Sequence, residues 1–383
     1  MTAARFAALR ATEFPWSRDH VYLNAASIGP LPERTRRALE AFGHKRAAPQ
    51  HLPDSDLQAV LRRARESVAR LIGAEAGEIA LATNTSYGLN LAASALPLGR
   101  GDVVVLSDGE FPANVYPWLA LRDRGVEVDL VPTTTAGWPD EARLLERVRD
   151  PQVKVFAVSH VQFATGYRVD LDRLGAACRD ADTFLVVDAI QALGQVPFDV
   201  RETSVDVLAC GGQKWLLSPW GAGFTYVRRE LVTALRPPFA GWMAFEGTDD
   251  FSRLTDYADR YRRDARRFEV GTIPFQDVVG MTNSIELLLQ VGIESVRDHA
   301  RAVLAPVYAA AERGELELAS PTDQAQRSAI TCIRTPRVEA AYRDLRQNGV
   351  TCSLREGAIR LSPHCYNTVE ELERVVGIVR RRG

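Results

Sequence analysis

The sequence has almost no charge imbalance: 47 lysines and arginines stand against 49 aspartates and glutamates, a formal net charge of −2. A nucleic acid or an acidic membrane surface would select for a basic excess, so neither is an expected partner. Cysteine is sparse. The five residues Cys178, Cys210, Cys332, Cys352 and Cys365 form no CxxC pair and no metal-ligand cluster. That argues against a disulfide framework, and an odd count in a long chain fits a reducing cytoplasm. The six histidines are scattered with none at HExxH spacing, so no metal site is expected. No apolar run is long enough to span a bilayer. The start, Met1-Thr2-Ala3-Ala4-Arg5-Phe6-Ala7, lacks the continuous apolar stretch of a signal peptide. The expectation is a soluble cytoplasmic protein.

What is present is an ordinary globular composition, 46% hydrophobic and 25% charged over 383 residues. That length suits one large and one smaller domain. Leu57, Val60, Leu61, Ala64, Val68, Leu71 and Ile72 recur at three- and four-residue steps, predicting an amphipathic helix that stops at Gly73. Seven short apolar runs follow at 78–82, 103–106, 126–131, 153–158, 184–187, 205–210 and 224–227, separated by helix-length segments. They predict an α/β fold, a seven-stranded, mostly parallel sheet covered on both faces. Past residue 250 the pattern turns to longer helices, then a small α+β module with strands near 329–333 and 358–361. The expected division is an N-terminal segment 1–20 packing with the small domain, a large domain 21–250 and a small C-terminal domain 251–383.

Ligands of such sheets sit at the carboxyl ends of the strands, and polar residues cluster there. The run Phe184-Leu185-Val186-Val187 ends in Asp188, with Gln191 just beyond. Twenty-six positions after Asp188, a second apolar run ends in Cys210-Gly211-Gly212-Gln213-Lys214. This pairing is what pyridoxal 5′-phosphate (PLP) chemistry needs. A lysine amine forms a Schiff base, and a carboxylate keeps the pyridine nitrogen protonated so that the ring accepts electrons. Asn84-Thr85-Ser86 follows the first strand and opens a helix, where hydroxyls and free N–H groups suit a phosphate.

The order of these segments resembles the class-V aminotransferase group of fold-type I PLP enzymes. That group includes cysteine desulfurases, kynureninase-like enzymes and isopenicillin N epimerase-like proteins. The resemblance runs from Tyr22-Leu23-Asn24-Ala25-Ala26-Ser27 to the segment opening Arg360-Leu361-Ser362-Pro363-His364. Between them lie Glu110-Phe111-Pro112-Ala113-Asn114, Asp188-Ala189-Ile190-Gln191, Gly212-Gln213-Lys214-Trp215 and Arg267-Phe268-Glu269-Val270-Gly271-Thr272. It implies the PLP-dependent transferase fold and the following roles. Lys214 is the Schiff-base lysine and proton shuttle, Asp188 pairs with the ring nitrogen, and Gln191 bonds the ring hydroxyl. Thr85, Ser86 and Gln213 hold the phosphate, and Phe111 stacks on the ring. Thr272 reaches the neighbouring subunit's phosphate, so a homodimer is expected. Arg360 binds the α-carboxylate of an amino-acid substrate with help from Asn24, and Arg355 competes for that role.

Two departures bear on the reaction. Desulfurases stack a histidine where this chain has Phe111, which cannot carry a proton, leaving His160 or Tyr87 as substitutes. Persulfide-forming desulfurases also carry a cysteine on a mobile loop before the carboxylate-binding arginine. Here Cys352-Ser353-Leu354-Arg355-Glu356-Gly357-Ala358-Ile359-Arg360 leaves little room for one. Transamination is the first expectation, because it needs only Lys214 as proton carrier. A C–S β-lyase or desulfurase-like enzyme comes next, epimerisation third, and a PLP-binding regulatory scaffold is the non-enzymatic alternative. Trp118, Trp220, Trp242 and Phe245 are candidates for the side-chain pocket.

Overall fold

The computed structural model describes residues 1–381. Seven strands form the main sheet: β1 (Ile79–Ala82), β2 (Val103–Ser107), β3 (Glu127–Val131), β4 (Val153–Ser159), β5 (Phe184–Asp188), β6 (Val207–Gly211) and β7 (Gly223–Val227). Their order across the sheet is β1-β7-β6-β5-β4-β2-β3. All neighbours are parallel except β7, which runs antiparallel to both β1 and β6.

Most of the strands are apolar because both faces are covered, whereas the edge strand β3 alternates Glu127 and Asp129 with apolar residues and is partly exposed. Val103 and Val105 of β2 face one core, with Phe156, Val187 and the helices Asp54–Ile72 and Phe275–Val291. Val104 and Leu106 face the other, with Ala157, Val186 and the helix Thr85–Ala95. Trp118, a sequence candidate for the pocket, is buried in this second core instead.

A second sheet is built from β8 (Glu317–Leu318), β9 (Thr331–Arg334), β10 (Ser353–Arg355) and β11 (Ala358–Leu361), in the order β10-β11-β9-β8 and antiparallel throughout. Phe275–Val291 contributes Val278, Met281, Ile285 and Leu288 to the large core. The N-terminal helix Ala3–Glu13 touches both ends of the chain: Glu13 pairs with Arg34 at 2.7 Å, and Phe6 and Arg10 reach C-terminal residues. Phe6 stacks on His299 with ring centroids 3.9 Å apart, and Arg10 pairs with Glu371 at 2.6 Å. Val21 and Tyr22 then pair in parallel with Val350 and Thr351, and Asn24 bridges to Ser362. This pairing delivers residues 24–27 to the cleft between the sheets. Among the described residues no helix is long and apolar enough to cross a membrane, and no acidic, histidine or cysteine cluster could hold a metal.

Candidate active site

Parallel pairing sets Asp188 of β5 beside Ala209 of β6, two positions before β6 ends at Gly211. The Asp188 carboxylate is buried and accepts a hydrogen bond from Ile190 N at 3.0 Å. Burial raises its pKa to about 6, against the Ile190 bond and the charge of Lys214. Lys214 follows the turn at Gly211-Gly212. Burial lowers its pKa to about 8, outweighing the attraction of Asp188, and the charge of Arg360 pushes the same way. A carboxylate kept in reserve and an amine partly neutral near pH 7 thus share one end of the sheet.

Phe111 lies across from the amine, with Lys214 Nζ 5.6 Å from its ring centroid. Its position follows from Glu110, a buried carboxylate that accepts from Ser159 N at 2.8 Å, Gln162 Nε2 at 2.7 Å, Asn114 Nδ2 at 3.1 Å and the Ser159 hydroxyl. These donors fasten the loop after β2 to the end of β4. Phe163 meets the Phe111 ring edge-on at 5.2 Å.

The helix Thr85–Ala95 begins beside this cleft. Asn84 caps it by accepting from Tyr87 N at 2.9 Å, Thr85 Oγ1 accepts from Gly211 N at 2.8 Å, and Ser86 is exposed at the first turn. A Cβ on Gly211 would stand 2.5 Å from Gln213 Oε1 and 3.2 Å from Thr85 Oγ1, so both side chains crowd this glycine at the helix start. Gln191 is a brace here. Its Oε1 accepts from Trp215 Nε1 at 2.8 Å and its Nε2 donates to Ala26 O at 3.1 Å, leaving one N–H to spare.

Arg360 closes the far side. It is 2% exposed and donates to Phe163 O at 2.9 Å, Ser27 Oγ at 2.7 Å and Ser353 Oγ at 3.3 Å, while its Nε has no partner. None of the ion pairs among the described residues includes it. A buried guanidinium without a counter-charge is costly, and burial lowers its pKa to about 10. The site therefore favours an incoming anion. Asn24 accepts from the Ser353 hydroxyl and so steadies the same corner. Arg355 is exposed, and its guanidinium donates to the carbonyl of its neighbour Leu354 at 2.9 Å.

The remaining sequence candidates sit elsewhere. His160 is buried against Phe198, and desolvation lowers its pKa to about 3. The Tyr87 hydroxyl donates to Phe268 O. Neither can replace a proton carrier at Phe111. Thr272 is exposed, on a segment tied to β1 where the buried Glu269 accepts from Leu81 N at 2.9 Å and pairs with Arg65 at 2.7 Å. All five cysteines are free and buried, and burial raises the Cys352 thiol to about 12.

Sequence reasoning missed the bracing role of Glu110 and that of His364. Cys365 N donates to His364 Nδ1 at 2.7 Å, so Nε2 carries the proton given to Trp215 O at 3.1 Å, and the neutral ring lies under Trp215. A usable signal also went unread: the chain has only three lysines, Lys45, Lys154 and Lys214.

The sequence profile described as Aminotransferase class-V matches residues 21–375. The chain belongs to this family. Among class-V relatives, the Bacillus subtilis protein named "Uncharacterized aminotransferase YcbU" is 33% identical over 95% of this chain and 94% of its own length. A "Probable cysteine desulfurase" of Methanothermobacter thermautotrophicus is 32% identical over 75% of this chain and 71% of its own. The solved cysteine desulfurase of Thermococcus onnurineus superposes with a TM-score of 0.86 over 98% of this chain and 97% of its own, at 21% identity, a likeness of fold. Membership of the class-V family implies a PLP site, and the residues at the sheet edge fit that group. Asp188 suits a ring N–H, the start of the helix Thr85–Ala95 suits a phosphate, and Lys214 supplies an amine.

Proposed function

We propose that this chain is a PLP-dependent enzyme working at Cα of an α-amino acid, and that it cleaves the Cβ–S bond of a cysteine-type substrate by elimination. The observation that carries the reading is the convergence of buried Asp188, partly neutral Lys214 and unpaired Arg360 on one cleft. When bound, PLP supplies an electron sink for the pair left at Cα. Lys214 anchors the cofactor through its amine and then carries the α-proton. Arg360 holds the substrate carboxylate with its fork of N–H donors. Thr85, Ser86 and Gln213 hold the phosphate, Gln191 lends its spare N–H to the ring, and Phe111 covers the ring and excludes water. We read exposed Thr272 as completing the phosphate site of a second copy, which makes the working unit a homodimer.

Among the described residues neither His160 nor Tyr87 offers a second proton carrier beside Lys214, which bears on the choice among reactions. Inversion by two bases lacks its second base. A thiolate needs no acid to leave, because a thiol is already half ionised near pH 8.5. No cysteine is placed to take the sulfur, so it leaves as a free thiol or persulfide. Transamination is the second reading, because Lys214 alone could also move the proton that it requires.

Product analysis with cysteine, cystine and S-substituted cysteines tests the proposal. Pyruvate with released sulfur is expected; a 2-oxo acid that keeps its sulfur would show transamination instead. Cys352→Ala is expected to turn over within about twofold of wild type, and persulfide found on Cys352 by mass spectrometry would overturn the reading.

A pH dependence follows from Lys214. Its pKa is lowered from 10.5 to about 8 in the folded protein, so the neutral amine that captures an aldehyde accumulates as pH rises through 8. Capture of PLP by the apoprotein, followed by absorbance, should be about ten-fold faster at pH 9 than at pH 7 and then level off. A rate still climbing past pH 10 would mean an ordinary surface-like lysine.

A further inference from the structure

We propose that Arg355 is a specificity residue that selects amino acids whose side chain ends in an anion, while Arg360 holds the α-carboxylate. The inference rests on the reading of the site given above and names its substrate class. It starts from strand register. Ser353 of β10 stands opposite Arg360 of β11, and Arg355 stands opposite Ala358. Residues directly opposite share a face, as do alternate residues along one strand. Ser353, Arg355, Ala358 and Arg360 therefore all lie on one face of the hairpin. It is the cleft face, since Ser353 and Arg360 bond to each other there and both reach the segment 24–27. Ile359, on the opposite face, is buried in the core of the small domain.

The hairpin turns through two residues, Glu356 with φ 44° and Gly357 with φ 72°. Left-handed conformation at both positions is what a tight hairpin turn requires. Arg355 is thus held at a strand end. Diagonal neighbours on one face lie about 7–8 Å apart along the backbone, so the two arginines project from neighbouring points of the same face, within reach of one short amino dicarboxylate.

The charge at position 355 is unspent. Several exposed arginines of this chain are paired, including Arg36 and Arg37 with Glu33, Arg201 with Asp199 and Arg313 with Glu315, whereas Arg62 and Arg229, like Arg355, are in no ion pair among the described residues. None of the ion pairs among the described residues includes Arg355, and its guanidinium donates to the carbonyl of its neighbour Leu354 at 2.9 Å. Glu356 adjoins it in sequence without pairing. Burial is the main cause lowering the Lys214 pKa, and the charges of Arg360 and Arg355 add to it, so both guanidiniums lie within electrostatic reach of the reactive amine. One cation is buried at the back of the cleft and one is exposed at its mouth. Together they fit a substrate with two acidic groups.

The test uses matched acidic and neutral ligands on the holoenzyme: aspartate against asparagine, glutamate against glutamine, and S-carboxymethylcysteine against its amide. Absorbance titration should show the acidic member of each pair binding roughly five- to ten-fold more tightly, the scale of one partly exposed charged contact. Arg355→Gln should abolish that preference while neutral ligands bind within twofold of wild type, and Arg355→Lys should restore part of it. Calorimetry with glutarate against butyrate reads the same two-cation contact without turnover. Equal binding of acidic and neutral members by wild type, or a preference that survives Arg355→Gln, would overturn the proposal. Failure to bind PLP at all would sink the reading of the site instead, and glutarate binding by the same preparation would still report on Arg355.

Discussion

Lys214→Ala should lose turnover by at least about 10³-fold. Proton transfer by a positioned base alone is worth about 10²–10⁴-fold, and this variant also loses the amine that anchors the cofactor. Lys214→Arg sharpens the test. A guanidinium keeps the positive charge beside Asp188 but neither deprotonates near neutral pH nor condenses with an aldehyde. It should be as inactive as the alanine variant, which separates chemistry from charge. Borohydride treatment of wild-type holoenzyme should fix PLP on the peptide containing Lys214, and neither variant should be labelled there. Turnover near wild type in either variant would remove the foundation of the functional reading.

Arg360→Ala should raise KM for α-amino acids by about 10- to 100-fold, because a charged hydrogen bond is worth about 1.5–3 kcal/mol. Its surroundings put it toward the upper end. The guanidinium already has Ser27, Ser353 and the Phe163 carbonyl to fix its plane, so it is arranged before substrate arrives. Arg360→Lys should fall between, since an ammonium preserves charge but loses the two-pronged geometry. Steady-state kinetics on one substrate across the three proteins is the measurement. An unchanged KM in the alanine variant would transfer the carboxylate to Arg355.

The fold was legible because most of its strands are buried on both faces and so spell out apolar runs, the edge strand β3 with Glu127 and Asp129 being the exception. All seven main-sheet strands fall where those runs lie, to within two residues. The antiparallel direction of β7 was not legible, because a strand buried on both faces reads the same either way. Asp188 and Lys214 were visible for a related reason, since polar residues that end apolar runs stand out. The Arg360 surroundings were harder to read. Ser27, Phe163 and Ser353 are far apart in sequence and meet only when the N-terminal segment docks along the small domain. Glu110 was quoted as part of a motif, yet three of its four donors come from Ser159 and Gln162, about fifty positions on. His160 misled because it follows β4, where functional groups gather, while its ring packs against Phe198.

The scarcity of lysine has a practical side. Lys45 is exposed and paired with Asp56 at 3.2 Å, Lys154 is half-buried within β4, and Lys214 is the remaining ε-amine. With a pKa of about 8, Lys214 has an appreciable neutral, nucleophilic fraction at neutral pH whenever the cofactor is absent. Acylating and aldehyde reagents should therefore poison the empty enzyme while barely decorating its exterior, and bound PLP should act as a protecting group.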